Sequence, residues 1–339
     1  MSATLAEIDL SRYDATVQRH AAWLDAGLDE NGAYRGGGAA CGAYMPLPVY
    51  GHAVGRQDLM LQSTAQLETF FRNGELALPP QVKDLMPYIP AWLVMGATLA
   101  ESMRLRSSAL KYLLPFQDRK TGGFFGKVEA RDAGRGVIDF DSSTQACGAL
   151  CISGQSIAAV RCGEYLKTLI QAQPDPENRF FLQWDSERGL IREFDPKEKT
   201  AHVLVYAGRK EHLYKMGLLV RALGLLHGLT GDAGALQLAE TLYRRTVEAS
   251  PDIWTNTLAH KMAWAAWTLF HLTRNGQYAR DACRMADHLA TLQQADGGFI
   301  YPELFQTYAD MPRDYKYNIG TQFATWIVQA RAMAALAAA

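Results

Sequence analysis

The stretch from Leu114 to Gly126 reads LPFQDRKTGGFFG, and a second stretch from Leu292 to Tyr301 reads LQQADGGFIY. Both contain a glutamine at the end of an apolar run, then an acidic turn residue, then Gly-Gly-Phe. A turn that recurs in this way indicates repeated supersecondary units, which bury their apolar faces only by packing against one another. We therefore expect the chain to be built from repeated helix–turn–helix units.

A second matching segment follows each copy of the turn. Residues 141–146 read DSSTQA and residues 318–323 read NIGTQF, at nearly the same distance from their Gly-Gly pairs. Weaker copies of the turn occur at residues 29–34 (DENGAY) and 184–190 (WDSERGL). The two strong copies lie about half a chain apart, which favours repeats over chance similarity.

Hydrophobic periodicity separates the predicted helices into two kinds. Residues 155–171 and 277–293 each carry one apolar stripe and one charged face, as expected of a helix with one side in water. Residues 214–230 and 260–273 are apolar almost all round, which predicts helices buried on both sides. We call the first kind outer helices and the second kind inner helices.

The two kinds alternate along the whole sequence. The predicted outer helices are about 11–26, 58–72, 107–117, 155–172, 233–248 and 277–294. The predicted inner helices are about 46–55, 88–103, 143–153, 214–230, 260–274 and 319–337. Six alternating pairs predict an all-α protein, an (α/α)6 toroid or double-walled helical barrel, with residues 1–339 forming a single domain.

The links between helices predict where a site would lie. Outer-to-inner links are long and, because of the alternation, all emerge on one face of the barrel. Residues 123–130 with 136–140, and residues 180–184 with 190–194, are predicted to form short β-hairpins in these loops. Binding and catalytic groups concentrate on loops held by a rigid scaffold, so we place the site at this mouth.

Composition limits the classes of partner. The chain has 339 residues, of which 48% are hydrophobic, and its 34 Lys and Arg nearly balance its 35 Asp and Glu. Without a basic tract, nucleic acid and anionic membranes are not expected partners. No secretory signal and no stretch of spanning length is visible, so we expect a cytoplasmic protein without stable membrane insertion. A homo-oligomer remains open.

The five cysteines form an odd set without a CxxC pair, which is typical of free thiols in a reducing compartment. Cys147 and Cys151 are spaced to share a helical face and could ligate a metal. Buried free cysteine more often acts as a small hydrophobic residue, and no clustered Cys, His and Asp set is visible. We therefore expect neither a metal nor a cofactor.

The Gly-Gly-Phe turn followed by D-x-S-S-T-Q-A resembles the repeats of the terpenoid cyclase and protein prenyltransferase superfamily, including the squalene–hopene cyclases. The resemblance implies the toroid fold. Residues 139–144, DFDSST, also resemble the D-x-D-D-T acid motif of class II cyclases, which implies Asp141 as the proton donor and Asp139 as its neighbour. Ser142 departs from that motif, and Asp141 could instead be a helix N-cap, as could Asn318 in the other copy.

Other candidate residues lie near the predicted starts of inner helices. His260 is the second candidate acid or base, because its imidazole titrates near neutrality. Aromatic rings at a barrel mouth can stabilise a carbocation or pack against a sugar, although each ring alone is more often core. The candidate substrate-binding residues are Tyr50, His52, Trp92, Trp184, Tyr214, Trp264, Asp314 and Tyr317.

Three functions fit the sequence. The first is a cofactor-independent cyclase, isomerase or lyase that acts by protonation on a mostly apolar, terpenoid- or polyketide-like small molecule. The second is a carbohydrate-active glycoside hydrolase or polysaccharide lyase, whose acid and base pair would come from Asp185, Glu193, Asp195 and Asp314. The third is a non-catalytic binding protein. The lining of the pocket is the feature that discriminates among the three functions.

Overall fold

The computed structural model describes residues 9–72, 74–77 and 87–338. In chain order its α-helices are α1 (Leu10–Gly27), α2 (Cys41–Tyr44), α3 (Leu47–Val54), α4 (Gln57–Glu68), α5 (Tyr88–Leu99), α6 (Met103–Leu113), α7 (Val128–Ala133), α8 (Phe140–Ile152), α9 (Ser156–Gln171), α10 (Lys199–His202), α11 (Tyr214–Thr230), α12 (Ala233–Ala249), α13 (Lys261–Thr273), α14 (Gly276–Thr291) and α15 (Arg313–Ala338). Short 3-10 helices cover Leu114–Phe116, Pro196–Glu198 and Thr257–Ala259.

The predicted toroid is confirmed. Helices α3, α5, α8, α11, α13 and α15 each contact the next in that order, and α15 contacts α3, which closes an inner ring. Helices α1, α4, α6, α9, α12 and α14 pack outside it, and α1 contacts both α14 and α15. The predicted extent of one domain, residues 1–339, includes positions outside the described ranges and stays a prediction.

Burial reproduces the two predicted kinds of helix. All but one residue of the inner helix α8 are buried, whereas the outer helix α9 buries a single stripe that includes Cys162, Leu166 and Leu169. Buried apolar side chains from both rings form one continuous hydrophobic core. Within the part of the chain that the structure describes, no helix is both long and apolar enough to cross a membrane.

The strands are short and lie in the loops. They are β1 (Phe71–Arg72), β2 (Glu75–Leu76), β3 (Val137–Ile138), β4 (Arg179–Phe181), β5 (Trp184–Asp185), β6 (Gly189–Leu190) and β7 (Val203–Val205). Strand β1 pairs with β2, β5 pairs with both β3 and β6, and β4 pairs with β7, all antiparallel. Short β-pairs in the long loops were therefore predicted correctly as a class.

The partners of these strands differ from the predicted hairpins. Residues 123–130 do not form a strand paired with residues 136–140, because Val128 to Ala133 is the helix α7 and only a single bridge joins Phe125 to Ile138. In the second predicted hairpin, Trp184 does pair with Leu190. Residues 179–181 instead pair with the later strand β7, a long-range contact that local turn signals do not report.

The glutamine of the repeated turn explains why the two copies match. Gln117 Nε2 donates to the carbonyl of Gly122 in its own turn and to the carbonyl of Ala158 in α9, both at 2.9 Å. Gln293 Nε2 likewise donates to its own turn and to the carbonyl of Thr16 in α1, at 2.8 Å. Each turn is thus attached to the next outer helix, and the second copy attaches to α1 and closes the ring.

The first glycine of each pair is required by the same packing. Gly122 and Gly297 have φ of +90° and +100°, a region that side chains with a Cβ rarely adopt. A Cβ at Gly122 would lie 2.2 Å from the carbonyl oxygen of Arg161, and a Cβ at Gly297 would lie 2.3 Å from that of Arg19. The repeated sequence therefore encodes a close approach of turn and outer helix.

Candidate functional site

A cavity of about 410 Å³ opens on the loop face of the barrel, at the N-terminal ends of the inner helices. Apolar and aromatic side chains form most of its walls, with a few polar groups among them. The lining residues are Ala40, Gly42, Ala43, Met45, Tyr88, Ile89, Asp141, His212, Tyr214, Leu258, His260, Lys261, Tyr301, Leu304, Asp314, Tyr315, Asn318, Ile319 and Gln322. An apolar pocket with a few converging polar groups is the usual form of a small-molecule site.

Helix α8 begins at the cavity and presents Asp141 in its first turn. Asp139 is the N-cap, and its Oδ2 accepts the backbone N–H of Ser142 at 2.7 Å. The prediction that Asp141 is the cap is wrong, because the helix starts at Phe140 rather than near Ser143. Asp139, two residues earlier, has the extended backbone of a cap residue, so Asp141 is free to pair elsewhere.

The same prediction fails for Asn318. Helix α15 starts at Arg313, so Asn318 lies inside the helix and not at its cap. Its Nδ2 donates to the carbonyl of Gly42, and its Oδ1 accepts from Gln322 Nε2 at 2.6 Å. Asn318 therefore joins the cavity wall to the loop before α3.

Asp141 is held by two donors from the start of α11. Its Oδ2 accepts from Lys215 Nζ at 2.5 Å and from the Tyr214 hydroxyl at 3.0 Å. The side chains of Asp141 and Lys215 are each 7% exposed, so this is a buried ion pair. Oδ1 of Asp141 has no hydrogen-bond partner among the described residues. The ion pair holds the carboxylate at the cavity wall, and its second oxygen is buried without a partner among these residues.

Lys261, at the start of α13, is a second buried lysine in the cavity wall. Its Nζ contacts the Tyr88 hydroxyl and lies 5.0 Å from the ring centroids of both Tyr88 and Tyr214, and 6.0 Å from that of Trp92. Among the described residues no carboxylate lies within 4.0 Å of this amine to form an ion pair. The π faces of the surrounding rings partly replace water as its environment.

This environment changes the titration of Lys261. Burial, together with the charges of Lys215 and Arg221, outweighs the attraction of Asp141 and lowers the pKa of Lys261 from 10.5 to about 7. Burial and the Asp141 charge raise the pKa of Tyr214 well above its usual 10, so its phenol stays protonated. A protonated phenol and an amine that is partly neutral therefore share the cavity near neutral pH.

His260 lies at the start of α13, as predicted, and lines the cavity. Its Nδ1 lies 2.7 Å from the carbonyl oxygen of Thr257, which can only accept, so Nδ1 carries the proton. Burial and the neighbouring Lys261 charge lower the pKa of His260 to about 3. The imidazole is therefore neutral at physiological pH. Its role as an acid or base stays a prediction.

Asp139 lies behind the cavity wall. Burial and the charge of Asp141 raise the pKa of Asp139 above its usual 3.8. Its two oxygens accept from the Ser142 amide and, at 3.3 Å, from Gln183 Nε2. Asp139 thus caps α8 and lies next to Asp141, as the class II resemblance implied.

Only two of the predicted substrate-binding residues line the cavity, Tyr214 and Asp314. Asp314 lies at its rim, where its Oδ2 accepts the backbone N–H of Ala40 at 2.9 Å. The other predicted residues lie elsewhere because side chains of inner helices point to several depths and faces of the barrel.

Three predicted aromatic residues lie behind the rim. Tyr50 is 1% exposed and contacts His20 edge-on, with its ring in the core. Tyr317 stacks on Tyr34, with a centroid separation of 3.7 Å. Trp184 is half-buried in β5 and packs against Tyr165. These rings support the loops and do not line the cavity.

The remaining predicted residues lie deeper in the barrel or at its other end. Trp92 stacks on Trp264 with centroids 5.2 Å apart, below the cavity floor. His52 is exposed near the end of α3 and belongs to a different cavity at the opposite mouth. Its prediction as part of the loop-face site is wrong, because α3 places it about one and a half turns from the helix start, near the opposite end of this short helix.

The carboxylates of the carbohydrate hypothesis do not converge. Asp185 lines a shallow surface depression with Glu187 and Arg135. Glu193 is exposed, and Asp195 is exposed and caps the 3-10 helix that follows it. Of the four predicted carboxylates, Asp314 alone lines the loop-face cavity.

The cysteines are free and buried, Cys147 and Cys151 among them. Within residues 9–72, 74–77 and 87–338, no group of three or more His, Cys, Asp and Glu side chains is arranged to hold a metal ion. The predicted absence of a metal in the purified protein stays a prediction.

Sequence reasoning missed Lys261 as a site residue. The available signal was a charged residue in an apolar helix. Tyr214-Lys215-Met216 and His260-Lys261-Met262 each begin an inner helix that is apolar almost all round. A lysine in a helix without a wet face must find a buried partner or lose its proton. The identity of that partner depends on packing between helices, as the Asp141–Lys215 contact across 74 residues illustrates.

No family model matches the chain, and no curated protein matches it in sequence. Solved structures do resemble it. A GH76 α-mannanase of Bacteroides thetaiotaomicron has a TM-score of 0.67 at 12% identity, covering 95% of each chain. A D-mannose isomerase has a TM-score of 0.64 at 12% identity, covering 97% of this chain and 99% of its own.

The type II terpene cyclase MstE from Scytonema has a TM-score of 0.61 at 13% identity, covering 96% of this chain and all of its own. At such identities the likeness shows the fold alone. It supports the resemblance to the terpenoid cyclase superfamily at the level of the toroid. These neighbours include hydrolases, an isomerase and a cyclase, so the substrate class must be argued from the cavity.

Proposed function

We propose that this protein is a cofactor-independent enzyme of the cyclase, isomerase or lyase type, which moves a proton on a mostly apolar small molecule bound in the loop-face cavity. The observation that carries the proposal is Lys261, a buried amine that lines an apolar cavity without a carboxylate partner among the described residues. A base with a pKa near the working pH is well suited to proton transfer.

The arrangement supports a pair of proton-transfer groups. Lys261, with a pKa of about 7, accepts a proton from a substrate carbon or hydroxyl, and the Tyr88 hydroxyl in contact with it donates to an oxygen on the same molecule. Both groups line the same cavity. Because the cavity shields Lys261 and Tyr88 from water, each interacts more strongly with charge that develops on the substrate.

Asp141 takes a different part from the one that the class II resemblance implied. A carboxylate that is ion-paired with Lys215 has no proton to give, so we propose that Asp141 acts through its charge. The charge of this buried carboxylate stabilises a cation that develops on the substrate in the cavity. The aromatic rings of Tyr88 and Tyr214 add to the stabilisation of positive charge.

The walls favour an apolar substrate body. Met45, Ile89, Leu258, Leu304 and Ile319 line the cavity, and its volume of about 410 Å³ suits a molecule of drug size. One structural neighbour, MstE, has been solved with its substrate geranylgeranyl dihydroxybenzoate, at a TM-score of 0.59 to this chain. A terpenoid- or polyketide-like molecule is the class that we propose here.

A second candidate, a carbohydrate-active enzyme, rests on one specific observation. Asp141 and Asp314 both line the cavity. Most glycosidases use a pair of carboxylic acid side chains in one pocket as their catalytic groups. The ion pair of Asp141 and the hydrogen bond of Asp314 to Ala40 occupy one oxygen of each. The apolar walls favour the first candidate.

The test uses solvent isotopes, which label a product whatever its structure. The protein is incubated in D2O with prenylated phenols, linear polyenes and cyclic enones, and in H2¹⁸O with α-mannosides and unsaturated glucuronides. Mass spectrometry then measures deuterium or ¹⁸O incorporation. We expect deuterium in an apolar compound, and a loss of roughly a hundredfold in rate in Lys261→Met.

Lys111→Met is the matched control, because Lys111 is exposed on the outer helix α6. It should keep the full rate. Incorporation of ¹⁸O into a sugar without deuterium transfer would favour the carbohydrate candidate. Deuterium transfer that persists unchanged in Lys261→Met would overturn the assignment of Lys261, and no turnover of any panel member would favour the non-catalytic alternative.

A further inference from the structure

The barrel has a second cavity, of about 360 Å³, at the mouth opposite the loop face. It shares no lining residue with the first. The lining residues are Val49, His52, Ala53, Met95, Leu99, Ile152, Arg221, Leu225, Trp264, Trp267, Thr268, Val328, Gln329 and Ala332. Most of them are apolar or aromatic, and Arg221 is the only side chain among them that is charged at every pH in the physiological range.

Arg221 is buried without an ion-pair partner. It is 3% exposed, and among the described residues no carboxylate lies within 4.0 Å of its guanidinium. Its contacts are a weak hydrogen bond from Nη2 to Met95 Sδ at 3.0 Å and the face of Trp264, 3.6 Å from the guanidinium carbon. A buried cation with such weak partners retains most of its desolvation cost, which an anion in the cavity would offset.

The surrounding backbone makes room for this guanidinium. A Cβ at Gly148 of α8 would lie 2.5 Å from Arg221 Nη1, so only glycine permits the observed position. Gln329, 9% exposed, also lines the cavity, and its Oε1 has no hydrogen-bond partner among the described residues. The cavity thus combines an unpaired cation with an amide that is not fully hydrogen-bonded.

We propose that this opposite-mouth cavity binds a small organic monocarboxylate. Its carboxylate pairs with the Arg221 guanidinium, whose planar fork matches the geometry of a carboxylate. Its apolar body lies between Trp267 and the aliphatic side chains of Leu99, Ile152 and Leu225. This site is separate from the loop-face cavity and does not rest on the function proposed there.

The charge and lining favour a carboxylate over a phosphate. Burial lowers the pKa of Arg221 to about 9, so that the group remains a cation at neutral pH. The lining offers one cation only, and a phosphate monoester with close to two negative charges would leave part of its charge unpaired in an apolar cavity. A carboxylate matches the single positive charge.

The test is ligand-observed and protein-observed binding with benzoate as the probe. Benzamide has the same shape without charge, and phenyl phosphate tests the alternative anion. Binding is followed by the thermal midpoint and by magnetization transfer from the benzoate ring protons to tryptophan indole protons. We expect saturable stabilisation by benzoate, with transfer to Trp267, and at least about tenfold weaker binding of the other two.

Two variants locate the site. Arg221→Met removes the charge, keeps much of the side-chain volume and should fold, because no buried ion pair is broken; its affinity for benzoate should fall at least about tenfold. Lys111→Met, whose side chain is exposed on α6 and lines neither cavity, should bind benzoate as the unmodified protein does. Arg221→Lys keeps the charge without the fork and should bind with intermediate affinity.

Three results would overturn the proposal. One is equal stabilisation of the unmodified protein and Arg221→Met by benzoate. Another is magnetization transfer to the protons of Tyr88 or Tyr214, which would place the probe in the loop-face cavity. The third is tighter binding of phenyl phosphate than of benzoate. If Arg221→Met does not fold, the transfer measurement on the unmodified protein still decides.

Discussion

The two Gly-Gly turns and the inner-helix starts that follow them differ in how well the two copies match. The turns have the same structure in both copies, whereas the helix starts do not. The turns at residues 117–123 and 293–298 make the same contacts with the next outer helix in both halves of the molecule. The helix starts that follow them share sequence but not structure, since α8 begins at Phe140 and α15 begins at Arg313.

The difference reflects what each region packs against. Each turn meets an outer-helix backbone at the same distance in both copies, so the residues that fit are the same. The helix starts face a cavity, where the neighbouring groups differ between the two copies. Asp141 therefore pairs with Lys215, while Asn318 in the other copy contacts Gly42 and Gln322. Repetition here marks the scaffold, and divergence marks the candidate site.

The largest effect is expected in the turns. Gly122→Ala and Gly297→Ala would each force a Cβ into a backbone carbonyl at positive φ. Strain and overpacking together should lower the free energy of unfolding by roughly 3–5 kcal/mol, measured by urea denaturation. Gly134→Ala is the matched control, because Gly134 has φ of +63° but nothing within 4 Å of its Cβ position.

Gly134→Ala should cost only about 1–2 kcal/mol, the cost of the left-handed backbone alone. If all three variants lost the same stability, the close approach to the outer helices would not be the reason for the repeated glycines. The contrast between turns and helix starts would then lose its physical basis.

The next largest effect concerns Asp141. Asp141→Asn keeps the size of the side chain but leaves the Lys215 ammonium buried without a counter-charge. We expect a loss of roughly 3 kcal/mol in the free energy of unfolding. Asn318→Asp, the corresponding exchange in the other copy, breaks no ion pair and is the comparison.

The double variant Asp141→Asn with Lys215→Met tests whether the broken ion pair causes the stability loss of Asp141→Asn. Removing both charges should restore most of the lost stability, because no buried charge then remains unpaired. If the double variant were less stable than Asp141→Asn, the loss would come from packing and not from the ion pair.

The sequence predicted the scaffold well because periodicity and repeats are local properties. The alternation of outer and inner helices, the closure of the ring and the loop face all follow from patterns within single segments. The helix starts were predicted less well. Residues 313–318 carry no apolar period, yet they are helical from Arg313 onward, and the Lys316 amide donates to the carbonyl of the preceding Pro312 at 3.0 Å.

The site was predicted in part. Asp141, His260, Tyr214 and Asp314 line the loop-face cavity, as their places near the starts of inner helices predicted, and their roles stay predictions. Lys261 was missed as a site residue because its properties arise from two other helices, α5 with Tyr88 and α11 with Tyr214 and the competing Lys215. Such contacts are not visible in the local sequence.

A third effect concerns Lys261 and is visible in the pH dependence of stability. Its folded-state pKa, about 7, lies below its ordinary 10.5, so between these values the unfolded chain binds more protons and stability rises with pH. The penalty for burying the ammonium is fully present below pH 7. Lys261→Met should therefore be more stable than the unmodified protein there, by roughly 2–5 kcal/mol.

The advantage of Lys261→Met should shrink from pH 7 toward pH 10.5 in urea melts at several pH values. Lys215→Met is the comparison at the neighbouring helix start, because Lys215 has a carboxylate partner and its removal should lower stability. A constant difference between Lys261→Met and the unmodified protein across this range would mean that the amine is charged in the folded protein throughout.

The smallest effect is expected at Asp139, the cap of α8. Asn caps helices about as well as Asp, so Asp139→Asn should change stability by less than about 1 kcal/mol, whereas Asp139→Ala should cost about 0.5–2 kcal/mol. The raised pKa of Asp139 determines whether Asp139→Asn raises or lowers stability. Because the folded-state pKa lies above the ordinary 3.8, the folded chain binds more protons just above that pH, and the ionised side chain destabilises the fold at neutral pH.

Asp139→Asn should therefore be neutral or slightly stabilising at pH 7, and the difference should vanish below the ordinary pKa of aspartate, in the same urea melts. A loss of stability as large as that of Asp141→Asn would mean that the two aspartates share the Lys215 charge. Unchanged stability together with a large loss of deuterium transfer would instead give Asp139 a part in the chemistry. The asparagine still caps the helix, so the loss of transfer would come from the loss of the carboxylate alone.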